Sequence, residues 1–445
     1  MKPRNWIAMD LHAFEEAARG AGAALPVSDN TALLAQPLTL KRSGRTIPNR
    51  MAIQPMEGCD GTAQGAPDVL TQRRYHRFAQ SGAGLIWMEA VAVQQNARAN
   101  PRQLMLTEAT LPAFQRLVRE IKEECLAANG FEPVVIMQAT HSGRYSKPNG
   151  VPQPIIAYQN PLFEKDSPLP GSCVITDDEL ARLGERFGQA AQLAQRAGFD
   201  GIDIKCCHRY LNSELLSAYQ RPGRYGGSLE NRTRLLRDSV AAAQAAASGG
   251  FIVTSRLNIY DGFPYPYGFG VSPDGGVEVD LSEPQALIGI LHQQMGLELL
   301  DLTMGNPYVN PHVNRPYDQG PYAPPEDPLT GAARICSGVG QMQRAFPGLA
   351  VVSSGLSYLR QFSAQVAAGA LEQGMCSIAG FGRMAFAYPQ FARDILRNGR
   401  LRPEQCCVVC SKCSELMRHG SKAGCVMRDQ EVYLPLYRND VMGAR

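Results

Sequence analysis

Five cysteines lie close together near the carboxyl end of the sequence. Four of them form the pattern Cys407-x2-Cys410-x2-Cys413-x11-Cys425, and Cys406 directly precedes the first. Four thiolates can hold either a zinc ion or an iron–sulfur cluster. Zinc ribbons usually pair two Cys-x2-Cys hairpins, whereas three closely spaced cysteines with a distant fourth are more typical of a 4Fe–4S cluster. The spacing favours 4Fe–4S and leaves zinc, free thiols and a ligand role for Cys406 open.

A second set of polar residues recurs directly after short apolar runs. In chain order these residues are Glu57, Glu89, Gln138, His141, Arg144, Lys205, His208, Tyr210, Arg256, Thr303 and Arg383. Any one of them is explained as well by a satisfied structural hydrogen bond. Their recurrence after run upon run indicates a shared ligand instead.

Two short strings rich in small residues also follow apolar runs, and one of them ends in a cation. The strings SSGLS at 353–357 and GFGR at 380–383 let backbone N–H groups approach an anion, and Arg383 adds positive charge. In a parallel barrel a phosphate site is frequently formed after the seventh and eighth strands. The two strings therefore predict a phosphate site.

Eight apolar, β-branched runs are too short for helices and are apolar on both faces, as buried parallel strands are. They are Arg50–Met56, Gly84–Val93, Pro133–Gln138, Phe199–Lys205, Phe251–Asn258, Glu298–Met304, Leu349–Ser354 and Met375–Phe381. Eight strands alternating with helices favour an α/β fold, a (β/α)8 TIM barrel. An open doubly wound sheet is the alternative, but its Gly-rich dinucleotide turn after the first strand is missing.

Amphipathic spacing and capping residues predict the helices between the strands. We expect helices at Leu11–Arg19, Leu70–Ser81, Thr176–Ala197, Leu229–Ala247 and Leu356–Gly369. Two segments rich in Pro, Gly and Tyr, Tyr260–Gly276 and Asn306–Pro328, are long insertions. Insertions of this length are usually lids or binding loops.

Composition excludes several classes of protein. The chain has 445 residues, 44% hydrophobic and 19% charged, with a net charge of +3. This composition is that of an ordinary globular protein, and the charge is too weak to suggest a nucleic-acid partner. The sequence has neither an apolar stretch of the roughly 18 residues that a membrane span needs nor a secretory signal. Seven of the 12 cysteines are scattered, which indicates reduced thiols and a cytoplasmic location.

Four strings carry a resemblance to a known family. They are NRMAIQPM, MQATHSGRYS, GFDGIDIKCCHRYLNSELLSAYQRPGRYGGSLENR and IAGFGRM. Over roughly residues 37–430 the sequence resembles the old yellow enzyme family of FMN-dependent oxidoreductases, in the branch with 2,4-dienoyl-CoA reductase and trimethylamine dehydrogenase. The resemblance implies an N-terminal extension at 1–36, an FMN-binding barrel at 37–398 and a 4Fe–4S segment at 399–445.

The resemblance also implies a role for each matching residue. Pro55, Met56, Glu57 and Gly58 would lie along the flavin, Gln138 at its pyrimidine edge, and Arg256 near N1 and O2. Gly355, Gly382 and Arg383 would bind the phosphate, and Cys407, Cys410, Cys413 and Cys425 would hold the cluster. Tyr210 matches the residue that protonates the substrate carbon opposite the incoming hydride.

Two positions depart from the family pattern. Lys205, which precedes His208 by three residues, stands where many members have a histidine that binds the substrate carbonyl. Lys205 could polarise a carbonyl, pair with a substrate carboxylate, or pair with Glu57 or Glu89. Glu57 stands where relatives often have a Cys, Thr or His that tunes the flavin. We expect Tyr210, His208 and Lys205 to be the catalytic residues.

These expectations together predict an ene-reductase that reduces an activated C=C bond of an unsaturated carbonyl, acid or thioester. The larger relatives continue into nucleotide-binding domains, whereas this sequence ends at Arg445. Electrons are therefore expected from a separate ferredoxin, flavodoxin or reductase subunit, with NAD(P)H as the competing donor. The sequence leaves a homo-oligomer open.

Two other functions remain in view. Amine dehydrogenation or demethylation would require a cage for a cation, which favours Trp. Trp6 and Trp87 lie in the extension and inside a predicted strand, so only a lesser cage of Tyr260, Tyr265, Tyr267 and Tyr308 is expected. The second alternative is a non-catalytic electron-transfer subunit. The retained Tyr210 and His208 speak against it, and the loss of histidine at Lys205 leaves it open.

Overall fold

A closed ring of eight parallel strands forms the centre of the computed structural model, which describes residues 4–443. The strands are β1 Met51–Ile53, β2 Leu85–Ala92, β3 Val134–Thr140, β4 Gly201–Ile204, β5 Ile252–Asn258, β6 Leu299–Thr303, β7 Ala350–Val352 and β8 Ala379–Phe381. From β1 to β7, each strand pairs with the next one in the sequence. β7 and β8 are joined by a parallel bridge between Val352 and Ile378. Because β8 also pairs with β1, the sheet closes on itself. The predicted (β/α)8 barrel and its eight strands are confirmed.

The strands are continuous apolar runs because both of their faces are covered. All eight residues of β2 and all seven of β3 are buried. Inside the barrel, Leu85, Val134 and Ile252, near the amino ends of their strands, pack against Leu40 and Ile47. These last two residues belong to or adjoin an antiparallel pair of strands, Leu38–Thr39 and Thr46–Ile47. This pair covers the amino end of the barrel, so the site can open only at the other end.

Helices surround the barrel and also follow several strands as short turns. The α-helices are Leu11–Gly20, Val69–Ala79, Leu111–Asn129, Pro161–Glu164, Asp177–Arg196, Leu211–Leu215, Leu229–Arg232, Arg234–Ala246, Ser282–Gly289, Pro311–Asn314, Pro328–Ala345, Ser363–Glu372, Arg383–Ala387, Phe391–Asn398, Lys412–Arg418 and Gln430–Tyr437. The 3-10 helices are Trp6–Ala8, Thr31–Ala35, Gln95–Ala97, Gly143–Tyr145, Gly171–Cys173 and Leu356–Phe362, and the π-helices are Ile290–Gln294 and Arg438–Met442. Within residues 4–443, no helix combines the length and apolar character that crossing a bilayer requires.

Two predicted helices are interrupted. The predicted helix Leu229–Ala247 breaks at Thr233, whose hydroxyl donates to the Leu229 carbonyl at 2.8 Å and so competes with the backbone. The predicted helix Leu356–Gly369 begins as a 3-10 helix and turns at Arg360, which has a positive φ of 48°. The tighter turn brings this segment back over the barrel, next to the predicted phosphate-binding residues at 353–357 and 380–383.

The N-terminal residues pack on this same segment. Helix Leu11–Gly20 begins at Asp10, whose carboxylate accepts the Ala13 N–H at 2.8 Å. Phe14 stacks on Phe362 with ring centroids 4.6 Å apart. Trp6 is buried edge-on against Tyr358 at 5.3 Å. The described part of the predicted extension is therefore part of the hydrophobic core.

Candidate active site

A cavity opens at the carboxyl ends of the strands, with about 1110 Å³ of space including its mouth. Lys205, His208 and Tyr210, which were predicted to be catalytic, all line it. So do all the residues that were predicted to contact the flavin except Gly58: Pro55, Met56, Glu57, Gln138, Arg256, Gly355, Gly382 and Arg383.

Gly58 has a different position, beneath the loop that follows β1. Its N–H donates to Glu89 Oε2 at 2.8 Å, and its carbonyl accepts the Ala423 N–H at 2.7 Å. A Cβ on Gly58 would lie 2.1 Å from Arg74 Nη1, so only glycine fits without displacing the arginine. Gly58 therefore joins the loop after β1 to the cysteine-rich end of the chain.

A buried layer of polar side chains supports the floor of the cavity. The Asp203 carboxylate accepts from Trp87 Nε1 at 2.8 Å and from Gln138 Nε2 at 2.6 Å. The Asp301 carboxylate lies 3.0 Å from Arg256 Nε. Burial raises the pKa of Asp203 to about 6 and that of Asp301 to about 7, against the opposing effect of Arg256. The two carboxylates fix the orientation of Gln138 and Arg256, both of which face the cavity.

One end of the cavity is suited to an anion. Within the described residues, Arg383 Nη1 and Ser354 Oγ are buried without a hydrogen-bond partner. Gly355 has a φ of 86° and adjoins Ile335, so its backbone conformation disfavours any side chain. Arg315 and Arg418 line the cavity as well. Unpaired buried donors beside additional cations are the groups that a phosphate would satisfy.

The other end holds a cluster of Tyr210, Glu57, Tyr308 and Lys205. The Tyr210 hydroxyl donates to Glu57 Oε1 at 3.1 Å and lies 2.9 Å from the Tyr308 hydroxyl. Lys205 Nζ is 3.8 Å from Glu57 Oε1 and 3.6 Å from the centroid of the Tyr210 ring. Burial, with Glu57 nearby, raises the pKa of Tyr210 well above its usual value. The phenol is therefore protonated at neutral pH.

Lys205 pairs with Glu57 rather than with Glu89, the other acid that the sequence offered. Glu89 is buried and is already bound to Arg74, to Tyr75 and to the Gly58 N–H. Burial raises the pKa of Glu89 to about 7, which Arg74 opposes. Desolvation lowers the pKa of Lys205, which is only 4% exposed, whereas Glu57 raises it.

The turn after β4 presents His208 and Tyr210 to the cavity. His208 and Arg209 have positive φ values of 62° and 54°, which is uncommon for residues other than glycine. Arg209 is completely buried and binds Asp261 at 2.9 Å, which holds the turn in place. Burial and the nearby Arg256 lower the pKa of His208 well below its usual value. His208 is therefore neutral, and its buried Nε2 has no partner in the described residues.

The two insertions contribute unequally. The segment Asn306–Pro328 supplies Pro307, Tyr308, Asn314 and Arg315 to the cavity wall. Tyr308 also stacks on Tyr145 with ring centroids 4.0 Å apart. From the segment Tyr260–Gly276 no residue lines the cavity, so the expectation that Tyr260, Tyr265 and Tyr267 join Tyr308 in a cage is wrong. The aromatic residues around Tyr308 are Tyr145 and Tyr210 instead.

The cysteine segment, residues 406–425, lies against the anion end of the cavity. Cys413, Ser414, Met417 and Ala423 line the cavity wall. Val409 and Ser411 have positive φ values of 56° and 61°, so the chain folds back on itself between the first cysteines. The Val409 N–H donates to Cys407 Sγ at 3.4 Å.

The four thiols of the predicted cluster motif are neighbours in space. Burial raises the pKa of Cys425 to about 12, and Cys407 and Cys413 contribute to this rise. Cys413 and Cys410 likewise contribute to the raised pKa of Cys407. Across residues 4–443, however, no three His, Cys, Asp or Glu side chains stand in a metal-binding arrangement. Cys406 differs, because its thiol donates to the Arg402 carbonyl at 3.3 Å.

The profile of the NADH:flavin oxidoreductase / NADH oxidase family matches residues 33–266, which include the first five strands and the residues from Pro55 to Arg256 at the cavity. This chain belongs to that family. Family membership confirms the resemblance to FMN-dependent oxidoreductases that the four strings carried.

The sequences of individual family members align with part of this chain. An NADPH dehydrogenase of Clostridium acetobutylicum is 28% identical over 239 residues, which are 52% of this chain and 66% of that protein. The matched region spans between 57% and 66% of the length of the first three curated relatives.

Solved structures share the fold over most of the chain. A 2-naphthoyl-CoA reductase complex superposes with a TM-score of 0.72 at 18% identity, covering 89% of this chain and 57% of that one. The old yellow enzyme homologue from Zymomonas mobilis gives 0.61 at 21% identity, covering 83% and 94%. Histamine dehydrogenase from Rhizobium sp. 4-9 gives 0.68 at 20% identity, covering 89% and 52%. At these identities the likeness establishes the barrel fold alone.

The cavity fits the FMN that members of this flavin oxidoreductase family bind. The unpaired Arg383 Nη1 and Ser354 Oγ suit a phosphate, and Gly355 and Gly382, next to them in the chain, also line the cavity. Gln138 and Arg256 offer polar edges to a ring system. For a metal cluster, the donor set of four neighbouring thiols fits, but the thiols are not preformed as ligands.

Proposed function

We propose that this chain is an FMN-dependent ene-reductase that reduces the C=C bond of an unsaturated carbonyl, acid or thioester. Bound FMN would supply a hydride to one carbon of that bond. The chain's own residues would supply a proton to the other carbon and hold the electron-withdrawing group. The observation that carries the proposal is the buried Tyr210 phenol, which lines the cavity with a cation and a second phenol beside it.

Tyr210 is suited to donate the proton. Its raised pKa keeps the phenol protonated, so a proton is available at neutral pH. When the proton leaves, the Tyr308 hydroxyl, 2.9 Å away, can donate to the phenolate oxygen. The Lys205 ammonium, 3.6 Å from the ring centroid, stabilises the negative charge electrostatically. These two groups lower the free energy of the state that follows proton transfer.

Lys205 and His208 are suited to bind the electron-withdrawing group. Both line the cavity, and Lys205 Nζ lies 3.6 Å from the centroid of the Tyr210 ring. His208 is neutral, so one of its ring nitrogens carries a proton that it can donate to a carbonyl oxygen. A hydrogen bond to that oxygen strengthens as negative charge develops on it during hydride addition.

The test separates the two halves of the catalytic cycle. The flavin in wild-type protein and in Tyr210→Phe is first reduced anaerobically with NADPH and then mixed with cyclohexenone, crotonate or crotonyl-CoA in a stopped-flow instrument. General acid catalysis contributes about 10²- to 10⁴-fold, so we expect re-oxidation by the accepted substrate to slow by that factor in Tyr210→Phe while reduction is unchanged. Tyr219→Phe is the matched control, because Tyr219 binds Glu283 away from the cavity. Equal re-oxidation of Tyr210→Phe and wild type would remove Tyr210 from the mechanism.

We further propose that Cys407, Cys410, Cys413 and Cys425 hold a 4Fe–4S cluster. The support is the donor set, the two left-handed residues that fold the chain back between the cysteines, and the N–H that Val409 gives to Cys407 Sγ. Hydrogen bonds to sulfur are one means by which proteins set the potential of such clusters. Cys406 is not included, since its thiol is bound to the Arg402 carbonyl.

The position of the cysteine segment suggests how electrons reach the cavity. Because Cys413 lines the cavity, a cluster there would lie beside the bound cofactor. We propose that a one-electron protein donor such as ferredoxin, flavodoxin or a reductase subunit uses this route, in addition to the NAD(P)H that the family uses.

Anaerobic purification followed by iron, sulfide and zinc analysis tests the cluster. About four iron and four sulfide per chain are expected for a 4Fe–4S centre. One zinc per chain, or no metal in protein prepared without oxygen, would contradict the proposal. Reduced ferredoxin and NADPH are then compared as donors, and failure of ferredoxin with the iron-loaded protein would remove the protein route.

A further inference from the structure

The end of the cavity that holds Tyr210, Tyr308 and Glu57 contains the groups that bind an ammonium ion. The ring centroids of Tyr210 and Tyr308 are 6.2 Å apart, and Tyr145 lies 4.0 Å from Tyr308 and 5.9 Å from Tyr210. The Glu57 carboxylate adjoins them through the Tyr210 hydroxyl at 3.1 Å. Aromatic faces combined with a carboxylate attract organic cations. We call Tyr145, Tyr210, Tyr308 and Glu57 the tyrosine wall.

The chain itself already supplies the cation at this place. Lys205 Nζ is 3.6 Å from the centroid of the Tyr210 ring and 3.8 Å from Glu57 Oε1. The residue is only 4% exposed, and it follows directly after strand β4, so its backbone position is fixed by the barrel. The Lys205 carbonyl is also held by Asn212 Nδ2 at 3.3 Å. The ammonium group is therefore a built-in occupant of the tyrosine wall.

The other charges of the cavity disfavour a second cation. The lining contains five cations and one carboxylate: Lys205, Arg256, Arg315, Arg383 and Arg418, with Glu57 as the acid. Asp301 neutralises Arg256 from below, and a bound phosphate would take up part of the charge of Arg383. Lys205 takes up the charge of Glu57, so no carboxylate in the lining remains free for a substrate ammonium.

We propose that Lys205 determines substrate specificity by filling the tyrosine wall, so that the site rejects ammonium substrates and accepts neutral or anionic unsaturated ones. This inference deepens the proposed function, on which it rests, because it sets the substrate class of the same site. It predicts that loss of the lysine charge leaves Glu57 and the tyrosines without a cation. An external quaternary ammonium would then bind in its place.

The experiment uses choline and its neutral isostere 3,3-dimethylbutan-1-ol as probes of the FMN-loaded protein. Binding is measured by isothermal titration calorimetry and by changes in the visible spectrum of the bound flavin. The variants are Lys205→Met, which keeps an unbranched side chain without charge, and Lys205→Arg, which keeps the charge. The double variant Lys205→Met/Glu57→Gln removes both partners and tests whether the cation binds at the tyrosine wall.

Wild type and Lys205→Arg are expected not to distinguish choline from the isostere. Lys205→Met is expected to bind choline about tenfold more tightly than it binds the isostere, as a cation–π contact with a nearby carboxylate would provide. The double variant is expected to lose most of that preference. A choline preference in wild type would overturn the inference even if Lys205→Met failed to fold, and so would a folded Lys205→Met without one.

These outcomes are distinguishable from failure of the proposed function. A protein that reduces none of the unsaturated substrates, yet gains choline binding in Lys205→Met, would retain the role of Lys205 and lose the ene-reductase proposal. A protein that reduces enones and also prefers choline in its wild-type form would retain the ene-reductase proposal and lose the proposed role of Lys205.

Discussion

At the barrel mouth, Glu57 accepts a hydrogen bond from Tyr210 and pairs with Lys205, whose ammonium group lies over the Tyr210 ring. In the cysteine segment the thiols are neighbours, but burial raises the pKa of Cys407 and Cys425 and so favours their protonated forms. The described residues contain no arrangement of three metal ligands. The side chains of the barrel mouth therefore contact one another in the absence of a ligand. The thiols of the cysteine segment are close to one another but do not have the geometry of metal ligands.

The source of each region's geometry explains the difference. Strand register and the buried carboxylates Asp203 and Asp301 position the residues of the mouth. The cysteine segment and the residues just after it are held to the barrel by contacts that do not involve the thiols. The Ala423 N–H donates to the Gly58 carbonyl, and Asp429, four residues beyond the segment, binds Arg73 at 2.7 Å. Metal ligands must be deprotonated, so the proposed cluster would supply the remaining order. We therefore expect the barrel to be stable without the cluster and the cysteine loop to depend on it.

Loss of one cluster ligand is the largest effect expected. Cys410→Ala should abolish iron binding, because a four-cysteine site with three ligands no longer completes its coordination. FMN content should stay at the wild-type level, since Cys410 does not line the cavity. Hydrogen exchange measured by mass spectrometry should increase in residues 406–425 but not in the barrel strands.

Cys406→Ala is the matched control for this prediction. Its thiol binds the Arg402 carbonyl, and we expect the variant to keep its iron. Iron lost from Cys406→Ala and kept in Cys410→Ala would assign the ligands differently. Loss of FMN together with iron in Cys410→Ala would show that the barrel mouth depends on the cysteine segment, contrary to this prediction.

Acid should destabilise the barrel through His141. This residue is buried after β3, its Nδ1 accepts the Gly143 N–H at 3.1 Å, and desolvation lowers its pKa from 6.5 to about 4. The unfolded chain therefore binds a proton between pH 6.5 and 4 that the folded chain does not. The free energy of unfolding should fall by about 3 kcal/mol over this range as pH decreases, and the contribution is fully present above pH 6.5.

Denaturant titrations between pH 4 and 7 measure this effect. In His141→Gln the pH dependence should be shallower than in wild type by that amount. His12→Gln serves as the control, because the His12 side chain is exposed on the first helix. Equal slopes for wild type and His141→Gln would show that His141 is not the group that titrates.

Removing Arg383 should weaken FMN binding without affecting the cluster. Charge-assisted hydrogen bonds contribute about 1.5 to 3 kcal/mol, so the dissociation constant for FMN should rise about 10- to 100-fold in Arg383→Ala. Fluorescence titration of the apoprotein measures this constant. Arg344→Ala, a substitution of an exposed arginine outside the cavity, should bind FMN as wild type does. An unchanged constant in Arg383→Ala would contradict the phosphate site.

The smallest effect is expected from Tyr308→Phe. The variant removes the hydroxyl 2.9 Å from that of Tyr210 and keeps the ring that stacks on Tyr145. A neutral hydrogen bond contributes about 0.5 to 1.5 kcal/mol, so re-oxidation by the substrate should slow about 2- to 10-fold. Flavin reduction should not change. A loss as large as that expected for Tyr210→Phe would make Tyr308 the proton donor instead.

The barrel could be predicted because each strand is a short apolar run with polar residues after it. Burial on both faces forces this pattern, so β2 and β3 are visible in the sequence alone. The helix Leu111–Asn129 was missed, although its amphipathic spacing was available. The interruption of the helix at Thr233 depends on a hydrogen bond from a side chain that helices often tolerate.

The remaining parts of the site depend on contacts that sequence order does not reveal. Tyr308 lies in a segment without regular spacing, and its contact with Tyr210 arises from the fold of that segment. Asp203 and Asp301 were missed because they stand inside apolar strands, where no motif marks them. The choice of Glu57 over Glu89 as the partner of Lys205 required knowledge that Arg74 occupies Glu89.

The central claim is that the barrel mouth holds FMN and uses it to reduce an unsaturated substrate. Protein purified without oxygen, treated with NADPH and then mixed with cyclohexenone, crotonate or crotonyl-CoA tests it most directly, with the visible spectrum recorded throughout. The account predicts one FMN per chain, loss of the flavin colour with NADPH and its return with an unsaturated substrate. A colourless protein that takes up no added FMN, or a reduced flavin that none of the unsaturated compounds re-oxidises, would contradict it.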